Sequence, residues 1–145
     1  MDIDLVLVPV DGSDQSERAA EYAVAVAERY GADLHLLFVL DERLRRDIDT
    51  ERIDPEAVAA DHREFTDGIR RTFDENHPEG TLETSTATAF SQTRLMQTPG
   101  SVVLDVSEDV GADFIVVPRE QGEQDAVGRA ALYVIEYASQ PVLSV

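Results

Sequence analysis

The sequence predicts an α/β fold, a single open parallel sheet with helices on both faces. Two observations carry this. Short apolar runs alternate with stretches of helical periodicity in the order β-α-β-α-β-α-β-α-β. Strands alternating with helices of about 10–20 residues build parallel sheets through right-handed crossovers. The first run, Ile3 to Val10, is almost continuously apolar and rich in valine, as in a strand covered on both faces. At 145 residues the chain fits one domain, 1–145, and no linker or internal repeat divides it.

Each element has its own signals. Asp11-Gly12-Ser13 breaks the first strand. A helix follows, with Asp14 as its expected cap and Glu17 three residues on, as in a capping box. Ala20, Ala23, Val24 and Ala27 share one face of it, and Gly31 is placed as its stop. Leu34 to Leu40 is the second strand, with His35 inside it. Asp41 to Asp54 is polar and reads as a loop or a frayed helix. Asp54-Pro55-Glu56 supplies a cap, an N1 proline and a first-turn acid. Val58, His62, Phe65, Ile69 and Phe73 stripe the helix begun there. Thr81 to Phe90 is a Thr-rich strand expected at a sheet edge. Ser91 to Gly100 reads as an irregular connection, and Ser101 as the start of a short helix ending at Gly111. Asp113 to Val117 is the fourth strand, Pro118 to Asp125 a loop, Ala126 to Ala138 the last helix and Pro141 to Val145 the last strand.

Charge narrows the partners. The chain has 30 acidic and 12 basic residues, a net charge of −18, and every basic residue is arginine. Ordinary small domains carry a net charge of about 2–8. Such acidity repels phosphate backbones and anionic lipid, so no nucleic acid and no membrane is expected as a partner. Acid excess without lysine points to a high-salt cytoplasm and a halophilic source, because salt near 1 M shortens the Debye length to about 3 Å. There is no cysteine and no long apolar span, and the N-terminus lacks the basic start of a signal peptide. The expected location is cytoplasmic.

Four segments carry a resemblance. They are Val8-Pro9-Val10-Asp11-Gly12-Ser13 with Ser16 and Ala20, Tyr30 to Asp41, Gly111 to Val117, and Pro141 to Val145. Together, in this order, they resemble the universal stress protein family over nearly the whole chain. The middle, Arg43 to Gly100, matches only in element type. The resemblance implies strand order 3-2-1-4-5, as in adenine-nucleotide α-hydrolase-like and Rossmann-like folds, and a role in stress tolerance. It also implies an adenine nucleotide, ATP or AMP, as the ligand. Asp11 and Val39 would then lie at the adenine and ribose end, just past strands at the carboxyl edge where such sheets bind ligands. Asp11 has a second reading, as a turn or cap residue with no ligand.

The phosphate loop departs from the family. Nucleotide-binding members carry Gly-x-x-Gly and, after a spacer, Gly followed by Ser or Thr. Here Pro118 stands where the first glycine belongs, Gly128 falls on the third, and Arg129 replaces the hydroxyl residue. The loop is roughly three residues short, and Gly122 lies nearby but out of register. Proline removes an amide donor, and Glu120, Glu123 and Asp125 bring like charge. Against this, Arg119 and Arg129 could grip an anion, or simply pair with neighbouring carboxylates.

Other chemistry is not supported. His35, His62 and His77 have no metal-ligand spacing, no triad can be named, and a receiver-type phosphoryl site would need a lysine. The expected function is a non-catalytic, dimeric binding module of the stress response with weak or no ATP binding. A working adenine-nucleotide binder is the alternative, and a slow nucleotide hydrolase ranks last. The resemblance also implies a homodimer through the last strand, along Val142, Leu143 and Val145 with Ser144 facing the other way. An open sheet edge of this kind invites a second copy.

Overall fold

A computed structural model describes residues 2–89, 98–119 and 126–145. The elements are β1 (Leu5–Val10), α1 (Asp14–Tyr30), β2 (Asp33–Asp41), α2 (Glu42–Asp49), α3 (Pro55–Asn76), β3 (Leu82–Ala89), α4 (Pro99–Val110), β4 (Phe114–Val117), α5 (Ala126–Tyr137) and β5 (Val142–Ser144). The five strands form one parallel sheet in the order β3-β2-β1-β4-β5. No described helix is long and apolar enough to cross a membrane.

The near-continuous apolar runs follow from burial on two sides. Val6, Val8 and Val10 of β1 join one core cluster with Leu34, Leu36 and Phe38 of β2, under α1 and α3. Leu7, Leu37 and Val39 point the other way, into a cluster with α4 and α5. The residues alternate by face because strand side chains have a period of two, and here both faces are apolar. Each fully buried Val or Leu contributes about 1.5–3 kcal/mol relative to exposure. The Thr-rich strand β3 lies at an edge, as its composition predicts.

Two helix starts differ from expectation, and one open reading is resolved. The N-cap of α1 is Ser13, not Asp14: its side chain accepts the Ser16 amide at 3.2 Å. Glu17 closes no capping box because, with Ser13 as the N-cap, the N3 position is Ser16, and the Ser13 N–H donates instead to Asp11 Oδ1 at 2.9 Å. α4 begins at Pro99, not Ser101, capped by Thr98, whose Oγ1 accepts from Ser101 N at 3.2 Å. A threonine cap followed by an N1 proline outweighs the helix-weak Gly100. The polar stretch after β2 contains a real helix, α2, because Asp41 caps it through the Leu44 amide at 2.7 Å. It buries no residue, so its hold on the core is slight.

Gly100 serves packing. A Cβ there would lie 2.5 Å from Tyr133 Cβ, so α4 approaches α5 closely only without a side chain. Gly68, inside α3, faces nothing within 4 Å of an added Cβ. Gly100→Ala should therefore destabilise by about 1–3 kcal/mol. Gly68→Ala should stabilise by about 0.5–1 kcal/mol through helix propensity alone. Denaturant unfolding of the two variants measures both, and equal signs would contradict this packing.

Candidate functional site

The site is built from the carboxyl edge of the sheet. Registered pairing of β1 with β2 ends at Val10–Phe38, while β2 continues beside β3 to Asp41–Ala89. Strand β2 thus overhangs β1 by Val39, Leu40 and Asp41. One step past the last registered pair lie Asp11 and Val39, on adjacent strands. The two residues expected at the adenine end are therefore neighbours.

Their backbone directions follow from alternation. Asp33 N–H donates to Asp4 O at 2.8 Å, so odd residues of β2 turn their backbone groups toward β1. The backbone of Val39 faces that side, at the point where β1 turns away. Its side chain is 3% exposed and belongs to the core, so any ligand contact at Val39 is made by the main chain. The turn that carries β1 away is held by Gly12, with φ +85°, a conformation glycine reaches without strain. Asp11 is exposed. One carboxylate oxygen accepts from Ser13 N–H, and its own N–H donates to Ser16 Oγ at 3.3 Å. The turn role of Asp11 is thus present in the fold, and its second oxygen is left for other work.

On the other side of β1 the ladder is shorter. Leu5 O accepts from Asp113 N–H at 2.9 Å, so odd residues of β1 face β4. Pro9 is one of these, and it has no N–H to donate. Registered pairing with β4 stops at Leu7–Ile115, although both strands run on. The β1–β4 ladder thus stops short where the strand order reverses, the position at which open α/β sheets usually hold a ligand in a crevice.

The far bank of the crevice is β4, with Pro118 and Arg119 just beyond it. Pro118 again lacks an amide hydrogen. The Arg119 N–H donates to Val145 O at 2.8 Å, and Val145 N–H donates to Val117 O at 3.0 Å. The first two positions past β4 therefore offer no free amide. Gly128 and Arg129 lie in the first turn of α5, which starts at this same edge. Gly122 lies outside the described residues. The start of α1 is also poor for anions, because Asp14 and Glu17 occupy its first turn and already answer the helix dipole.

Below this edge a groove of about 730 Å³ runs between α1 and α3, with Asp11 and Gly12 at one end. Sequence reading missed it, since it depends on where α2 and α3 settle. His62 lines it, with its ring stacked on Phe38 at 4.1 Å. His35 is buried in β2, with Nε2 2.7 Å from Ser85 Oγ on β3. Burial pushes both imidazoles below their usual range, partly opposed by Glu83 for His35 and by Asp61 for His62. Among the described residues, no His, Asp and Glu side chains gather into a group that could hold a metal ion.

Comparison with known proteins places this architecture. Residues 3–145 match the universal stress protein family. The fold is similar to a universal stress protein in complex with cAMP, at 21% identity and TM-score 0.66, covering 100% of this chain and 98% of that one. It is similar to universal stress protein UspA from Lactobacillus plantarum, at 23% identity and TM-score 0.67, covering 100% and 99%. It is also similar to the universal stress protein from Archaeoglobus fulgidus in complex with dAMP, at 20% identity and TM-score 0.61, covering 98% and 96%. No curated protein matches the sequence.

The depressed histidines fix a pH response. The unfolded chain takes up protons near the ordinary histidine value of 6.5, while folded His35 and His62 do so only at lower pH. Their contribution to stability is complete above that value and is lost as pH falls through the window below it. In melts from pH 8 to 5, wild type should lose stability relative to His35→Gln below about pH 6.5. Above it the gap should be constant; a gap constant across the whole range would contradict the burial of a neutral His35.

Proposed function

The chain belongs to the universal stress protein family, and from this premise we propose that it serves the stress response as a dimeric binding module. Its pocket keeps an adenine end and lacks a triphosphate cradle. One observation carries the reading: past β4, Pro118 has no amide hydrogen and the Arg119 amide is committed to Val145 O. Phosphate sites at strand–loop–helix junctions work through converging free amides. The adenine end is better supplied, with Asp11 beside the overhanging backbone of Val39. Two of the related structures hold cAMP and dAMP, ligands with an adenine and a single phosphate. A pocket of this design favours that class over ATP. No reaction is assigned to it.

A second reading, an ATP-binding stress protein, rests on the sequence, which puts Arg129 next to Gly128 at the start of α5, since arginine is a residue type that pairs with phosphate. Titration calorimetry in molar KCl separates the two. ATP should bind with a dissociation constant above about 100 µM, weaker than about 5.5 kcal/mol. AMP should bind no more weakly than ATP, and micromolar ATP affinity would establish the second reading instead.

The dimer rests on β5. Its inner edge is bonded to β4, and among the described residues no strand pairs its outer edge. The expected arrangement of its side chains needs correction. Leu143 and Val145 pack on one core cluster and Val142 on the other, so Ser144 shares the face of Val142. Strand alternation forbids Val142, Leu143 and Val145 from facing one way. A second copy would instead pair with the backbone edge. Val145 N–H points to β4, so the amides of Val142 and Ser144 point outward. Ser144→Pro removes one outward donor and spares the β4 ladder. By light scattering at micromolar concentration, wild type should be dimeric and Ser144→Pro monomeric. A monomeric wild type would refute the assignment.

We also propose adaptation to high salt, supported by the net charge of −18 and the absence of lysine. Screening at molar KCl relieves self-repulsion. The melting temperature should rise from dilute buffer to molar KCl, and a flat or falling series would contradict this.

A further inference from the structure

The groove between α1 and α3 is not needed for the nucleotide reading, and its chemistry differs from that of the crevice. Its floor is apolar: Leu44 of α2, Ile53 beyond it, and Val58 and Phe65 of α3 are all half-buried there. Both banks are acidic. Glu17 and Glu21 stand on α1, Asp61 and Glu64 on α3, and Asp11 closes one end. Arg71 is the one arginine among the lining residues.

We propose that this groove binds a small organic cation with an apolar body, such as an aromatic or branched ammonium. The volume, about 730 Å³, lies within the range of about 300–1,000 Å³ typical for small ligands. It is small for a docked protein segment. Charge complementarity chooses the sign of the ligand, since five carboxylates against one guanidinium disfavour an anion and leave a neutral molecule without a charged partner. Carbon on the ligand covers Val58, Leu44 and Ile53, which water now wets. Phe65 also lines the groove, and a phenyl ring suits a weakly hydrated ammonium. The loosely held α2 forms one wall, so the groove can adjust to a ligand without disturbing either core cluster.

Gly68 gives a clean test, because it lines the groove and faces open space. The probes are benzyltrimethylammonium, benzyl alcohol and benzoate, followed by amide chemical-shift titration in 0.5 M KCl. The cation should bind saturably, with shifts centred on Glu21, Gly68 and Thr72. Benzoate should not saturate, and the alcohol should bind at least about tenfold more weakly than the cation. Gly68→Phe should weaken the cation by about tenfold or more by filling the groove. Gly68→Ala should leave it nearly unchanged and shows that the helix tolerates a side chain there. Glu21→Gln should weaken the cation and leave the alcohol alone. Benzoate binding as tightly as the cation, no saturable binding up to about 10 mM, or indifference to Gly68→Phe would each overturn the proposal. Asp11 belongs to both sites, so groove binding is read at Glu21, Gly68 and Thr72, none of which the nucleotide reading uses.

Discussion

Pro9 sets the shape of the functional edge. It is buried in the central strand, between β2 and β4, where proline is rare because it cannot donate to the ladder. On the β2 side nothing is lost, since Pro9 remains in register with Leu37. On the β4 side the missing donor falls at the carboxyl end, and the ladder stops two residues earlier, at Leu7–Ile115. The amino end stays closed. There Asp113 Oδ2 accepts the amides of Asp4 and Leu5 at 2.9 and 3.1 Å. The β1–β4 ladder is thus tied at one end and unpaired at the other.

Everything proposed for the crevice stems from that asymmetry. Its near bank is polar backbone, because β2 outruns β1. On its far bank the Arg119 amide is taken by Val145 O. The same bond fixes β5 against β4 and so prepares the edge on which a second copy would pair. In the proposed reading, nucleotide preference and assembly would both depend on one short segment, Val117 to Arg119 and Val142 to Val145. The acidic surface acts over a longer range. It disfavours any polyanion at the crevice and favours cations at the groove, and salt weakens both effects.

Much of this was legible in the residues. β1 and β2 were plain because burial on both faces leaves uninterrupted apolar runs, and α3 because Asp54-Pro55-Glu56 combines cap, proline and acid. Asp11 and Val39 were carried over from the family resemblance, and the register puts both at the carboxyl edge, where ligands of parallel sheets collect. Single-residue boundaries were not. Ser13 and Asp14 are both good caps, and the choice turned on Asp11 bonding to the Ser13 amide, a contact no periodicity encodes. Thr98 won over Ser101 for a similarly local reason. The fate of the Arg119 amide depends on a residue 26 positions away in sequence, and the groove depends on three helices at once. Such features are tertiary, and composition or spacing cannot reveal them. Gly122 falls outside the described residues.

The central claim is that the crevice reads the adenine end of a ligand through Asp11 and the β2 overhang, and that the first two positions past β4, Pro118 and Arg119, offer it no free amide. Amide chemical-shift mapping with AMP and with ATP in molar KCl tests it most directly. The account predicts that both ligands shift Asp11, Gly12, Val39, Leu40 and Asp41. It predicts that the Arg119 amide, held by Val145, keeps its position and its slow hydrogen exchange with either ligand. Shifts from ATP concentrated at Arg119 and the first turn of α5, with Asp11 and Val39 unmoved, would contradict it.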